Sequence, residues 1–224
     1  MVNGDLLLTH LAAARNWIIA AEQDGDVAKI RYAALDLRLA IERFAAELLA
    51  RIRNVNLDAL DYRSLSGFKK TERRIAALAG NPDVIRRTYA FQQIILDMMN
   101  LGIRLTVPDM NLLSKHWHRC SEVLHIGWAL SIEVSEAKSV ALTLRELSDV
   151  GSSLVQMSEG LLVWPAIADV DFERLKQQFL SGEVRDEETR NCLRERGLWA
   201  SVVTPDGERT VIGSPVPPAS VSGV

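Results

Sequence analysis

The sequence predicts a mainly α protein: an antiparallel helical bundle, then a C-terminal helical extension that ends in a β-hairpin. Three observations carry this expectation. Apolar residues recur at spacings of three and four through most of the chain before residue 160, as they do on one face of a helix. Asp, Gly and Pro interrupt that pattern at short links, and short links make neighbouring helices antiparallel. Late in the chain, Leu198 to Val203 and Glu208 to Ile212 flank Thr204-Pro205-Asp206-Gly207, a turn sequence between two apolar runs.

Taken in order, Asp5 to about Gln23 reads as a first helix on Leu7, Leu8, Leu11, Ala14, Ile18 and Ala21, with Asp5 as its cap. Asp24-Gly25-Asp26 is a turn: Gly25 is free to take positive φ, and Asp26 caps the second helix. Val27 to about Arg53 has an apolar arc so wide that the spacing predicts a central, buried helix. Arg38 and Glu42 fall inside that arc one turn apart. They predict a partly buried ion pair, because a buried charge must find a partner. After a polar connector, Lys69 to Leu78 gives a short basic helix. Asp83 to about Leu101 gives another, with Ile85, Tyr89, Ile94, Ile95 and Met98 facing inward. Asp109 caps a fifth helix that closes just before Gly127. Ser135 to about Ser158 is helix-like but interrupted at Gly151-Ser152-Ser153, and Asp171 to Leu180 and Asp186 to Arg196 are short charged helices. The expected division is a bundle over 1–130, the extension with its hairpin over 131–213, and a disordered tail over 214–224.

Hydrophobic residues make up 48% and charged residues 25% of the 224 positions, the balance of a globular chain. A net charge of −3, with the signs interspersed, gives no general pull towards nucleic acid. Cys120 and Cys192 are far apart and form no C-x-x-C pair, which fits a reduced cytoplasmic setting. The N-terminus has no signal-type pattern, and no apolar run approaches the roughly 18 residues of a membrane span. The expectation is a soluble cytoplasmic protein with no membrane partner.

Chemistry concentrates in Lys115 to His125, which holds three of the four histidines. Leu112, Leu113, Trp117, Cys120, Val123 and Leu124 make one apolar arc at about 100° per residue. His118, Glu122 and His125 share the opposite face within about 60°, and Arg119 lies about 120° from His125. Glu122-x-x-His125 has the ligand spacing of di-iron bundles. The chain lacks the second Glu-x-x-His motif, however, and the stripe faces away from the apolar seam, so no metal or other cofactor is expected. In the plainest reading the histidines are solvated or hydrogen-bonded surface groups.

Arg119-x5-His125, near the end of a late helix, resembles the R-x4-6-H motif of the HEPN superfamily (higher eukaryotes and prokaryotes nucleotide-binding). The segments from Tyr32 to Leu49 and from Leu112 to His125 are similar to bacterial HEPN-like proteins, and the resemblance covers roughly residues 5 to 130. It implies a metal-independent endoribonuclease of the toxin or phage-defence kind, acting as a homodimer, with RNA as substrate and an antitoxin or other protein as partner. The alternative it implies is a catalytically inactive module that dimerises or binds a partner. Carried over, His125 is the general acid/base and Arg119 stabilises charge on the scissile phosphate. His118 and Glu122 stand as supporting residues. Two copies across a two-fold would bring together an Arg119 and a His125 that one helix holds apart. The chain departs from the family pattern at Cys120, where active members carry a polar residue. A winged-helix reading of Asp171 to Ile212 lacks the basic recognition face that a DNA reader presents.

Overall fold

The computed structural model describes residues 4–53, 82–100, 102–125, 137–162, 170–196, 200–203 and 209–212, with the isolated positions 70, 73, 74, 77 and 80. The protein is mainly helical. Its described helices are α1 (Gly4–Asp24), α2 (Val27–Arg53), α3 (Pro82–Met98), α4 (Met110–His125), α5 (Ala137–Leu162), α6 (Val170–Ser181) and α7 (Asp186–Arg196). Two four-residue strands, β1 (Ala200–Val203) and β2 (Arg209–Ile212), pair antiparallel with Ala200 opposite Ile212. Residues 204–208, on which the expected turn rests, lie outside the described residues. So do the tail over 214–224 and most of the short basic helix expected from Lys69 to Leu78.

By internal packing the chain falls into two compact units, Met1–Pro82 with Pro108–Leu162, and Asp83–Val107 with Val163–Val224. The first unit holds α1, α2, α4 and α5. Leu7, Leu11, Ala14, Ile18 and Ala21 recur at four, three, four and three, and all are buried. α1 ends where Gly25 takes φ +69° and its N–H donates to the Ala21 carbonyl at 2.8 Å. Asp26 then caps α2 by accepting the Ala28 N–H at 2.8 Å. The two-residue turn returns α2 alongside α1, and α2 also packs against α4 and α5. Ala33, Ala34, Leu37, Ala40, Ile41, Phe44 and Leu48 of α2 are all but fully buried. The small residues among them let the neighbouring helices approach closely. The arc is narrower than the sequence implies, since Leu35 is 42% exposed and Leu39 and Leu49 are only half-buried.

α5 runs without a break through Gly151, where the sequence predicts an interruption. Leu144, Leu147, Val150, Leu154 and Met157 bury one continuous stripe. A Cβ built at Gly151 would meet Leu37 Cδ2 at 3.6 Å. The residue therefore sits in the packed seam with α2, and that packing outweighs its weak helix propensity.

The second unit is built on α3, α6 and α7. Phe91, Ile94, Ile95 and Met99 meet Leu175, Phe179 and Leu193 in one apolar cluster, with the Phe91 and Phe179 rings 5.6 Å apart. Polar ties fix the register. Arg87 donates to the Leu180 carbonyl at 2.8 Å, and Arg190 Nη2 to Asp97 at 3.1 Å. Gln93 donates to the Ile103 carbonyl and accepts the Leu105 N–H, at 2.9 and 2.8 Å, holding the turn after α3.

This division differs from the contiguous one drawn from the sequence at residue 130. The apolar stripe of α3 is filled by residues of α6 and α7, whereas the stripe of α5 packs on α1 and α2. Helical periodicity shows that a face is apolar, not which distant face fills it.

Candidate functional site

Helix α4 is set by its cap and its seam. Asp109 Oδ1 accepts the backbone N–H groups of Asn111 and Leu112 at 2.9 and 3.1 Å. Met110, Leu113, Trp117, Cys120, Ser121 and Val123 are buried. Ser121 tolerates burial because its hydroxyl donates to the Trp117 carbonyl at 2.8 Å. Leu112 and Leu124, expected in the seam, are only half-buried. On the opposite side Lys115, His118, Glu122 and His125 are exposed.

Trp117 ties α4 to α2. Its ring is 1% exposed, its Nε1–H donates to Glu42 Oε1 at 3.3 Å, and the Arg38 guanidinium lies over it at 5.1 Å. Arg38 Nε donates to the same Glu42 oxygen at 3.2 Å, and the two side chains are only 16% and 20% exposed. One carboxylate oxygen thus takes both the indole and the guanidinium, while the ring face takes the positive charge.

Arg119 ties α4 to α5. Nε donates to Glu146 Oε2 at 2.9 Å, Nη2 bonds to the same oxygen, and Nη1 donates to Glu122 Oε2 at 3.2 Å. Every guanidinium nitrogen therefore faces a carboxylate. Burial works against the charge, but the hydrogen bonds to Glu146 and Glu122 more than offset it and hold the Arg119 pKa above its ordinary value.

The remaining residues fall into separate environments. His118 sets its ring edge-on to Trp117 at 5.1 Å. His125 is exposed in the last helical turn, at the negative end of the helix dipole. His116 is half-buried, and its Nε2 is buried with no hydrogen-bond partner among the described residues. Burial lowers its pKa, against the pull of Asp149 and Asp109. Burial also pushes the Cys120 thiol up to about 12, although Arg38 and Arg119 act in the other direction. Among the described residues no group of three or more His, Cys, Asp or Glu is placed to hold a metal ion, and no helix is long and apolar enough to cross a membrane.

The structure brings Arg119 and Glu122 together, as their i, i+3 spacing allows. It adds Glu146, which sequence reasoning missed, because nothing in the pattern of α5 marks that glutamate apart from its neighbours. It also adds a second polar node: Asp36 accepts from Trp17 Nε1 at 3.2 Å and pairs with His10 Nδ1 at 2.9 Å, joining α1 to α2. No family model, curated protein or solved structure matches the chain.

Proposed function

We propose that this protein is a catalytically inactive HEPN-like helical module that pairs with a second copy of itself and acts by binding rather than by cleaving RNA. The observation that carries this reading is the state of Arg119. A catalytic arginine must offer its N–H groups to a phosphate, yet Nε, Nη1 and Nη2 all face Glu146 and Glu122. An RNA phosphate placed there would also meet those two carboxylates. Each like-charge contact at about 4 Å costs about 1 kcal/mol in water and several times more where water is excluded. The buried Cys120 thiol beside Arg119 supplies no acid or base at neutral pH. Sedimentation equilibrium at tens of micromolar tests the reading: a homodimer is expected, and a monomer contradicts it.

A second reading, the metal-independent homodimeric endoribonuclease of toxin or phage-defence type, is favoured by the exposure of His118, Glu122 and His125 on one face. In that case Glu146 and Glu122 hold Arg119 back. The Glu122→Gln/Glu146→Gln variant would then cleave RNA faster than wild type, and His125→Ala would abolish the gain. If the variant leaves RNA intact, the inactive module stands.

A further inference from the structure

A groove of about 420 Å³ in the first unit, lined by none of Arg119, Glu122 and Glu146, lies between the last turn of α1 with the turn after it and one face of α5. Its volume is in the range of small-ligand sites. Ala21 and Leu144, both buried, form part of its wall, and Val140 and Ala141 extend the apolar surface. The polar lining carries charges of both signs: Glu22 from α1, and Arg145, Ser148 and Asp149 from α5. Arg145 and Asp149 stand one helical turn apart with opposite charges, a spacing at which such residues commonly pair. Among the described residues neither they nor Glu22 and Ser148 take part in a hydrogen bond or ion pair, although the Asp149 charge also acts on the half-buried His116 of α4. Asp24, the neighbouring acid, is by contrast engaged with Lys29.

The groove offers partners for both signs of charge. Glu22 lies at the C-terminal end of α1, where the helix dipole is negative, and Asp149 adds a second carboxylate from α5. Together they favour an ammonium group. Arg145 and Ser148 offer N–H and O–H donors suited to a carboxylate. Val140 and Ala141, the less buried apolar residues of the lining, offer surface for an aliphatic body.

We propose that this groove binds a small zwitterion of the amino-acid class with an aliphatic side chain. Its ammonium meets Glu22 and Asp149, its carboxylate meets Arg145, and its side chain lies on Val140 and Ala141. The site does not depend on the reading of Arg119.

Saturation-transfer NMR on the full chain tests it with three probes: L-leucine, 3-methylbutylamine, which lacks the carboxylate, and 4-methylpentanoate, which lacks the amine. Leucine is expected to bind with a millimolar or tighter Kd, and each analogue at least about tenfold more weakly. Ala141→Trp, at an exposed position on α5, should abolish leucine binding by filling the groove. Arg145→Gln, which leaves the groove open, should erase the preference for leucine over 3-methylbutylamine. Absence of leucine binding at about 10 mM, binding that survives Ala141→Trp, or 4-methylpentanoate matching leucine overturns the proposal.

Discussion

Arg119 and Glu146 join α4 to α5 through two guanidinium nitrogens on a single carboxylate oxygen, with Nε at 2.9 Å. The side chains are 36% and 38% exposed, so solvent screens much of the attraction. Arg119→Ala should therefore cost only about 0.5–1 kcal/mol. The Arg119→Ala/Glu146→Ala double-mutant cycle in urea should return a coupling energy of the same size. No coupling would mean that the pair does not tie the two helices in solution.

Two glycines should respond in opposite ways. Gly151 lies within α5, and an added Cβ meets Leu37 Cδ2 at an ordinary 3.6 Å, so Gly151→Ala should stabilise by about 0.5–1 kcal/mol through helix propensity. Gly182 has φ +85°, and its added Cβ comes within 2.9 Å of Arg87 Nη1, the group that donates to the Leu180 carbonyl. Gly182→Ala should destabilise by at least about 1 kcal/mol. Chemical denaturation of both variants checks the signs.

Much of α4 is legible in its amino-acid sequence. The seam of Leu113, Trp117, Cys120 and Val123, the cap at Asp109 and the polar face of His118, Glu122 and His125 all follow from spacing and local chemistry. The Arg38 and Glu42 spacing likewise points to the pair seen at 3.2 Å. The illegible part is long-range. Glu146 is 27 residues from Arg119 and Glu42 is 75 from Trp117, and local pattern does not specify which distant polar group meets which. The grouping of α3 with α6 and α7 is hidden for the same reason. Gly151 misleads because a propensity cost of about 1 kcal/mol is small beside the burial of a whole helical stripe.

The thiols should separate by accessibility. Cys120 is fully buried with its pKa pushed up to about 12, whereas Cys192 is half-buried. Iodoacetamide at pH 8 should modify Cys192 alone in the native protein, and both thiols in denaturant. Native modification of Cys120 would mean that the α4 seam opens.

Asp97 should make the second unit acid-sensitive. Its pKa is held below the usual 3.8 chiefly by the Gln93 hydrogen bond, with Arg190 and Arg104 adding to it against burial. Because the folded pKa is depressed, the stabilisation is present above the unfolded value and is lost as pH falls through the folded one. Asp97→Asn should lower stability at neutral pH and flatten the loss of stability below about pH 4. A variant whose stability tracks wild type across that range contradicts this role.

The most direct test of the inactive-module reading is incubation of the wild-type protein with a mixed RNA pool in EDTA, read out by the 3′-end chemistry of the products. With Arg119 held by Glu146 and Glu122, the RNA should remain intact. Cleavage that leaves 2′,3′-cyclic phosphate ends, and that disappears in both Arg119→Ala and His125→Ala, would contradict that reading and establish the endoribonuclease.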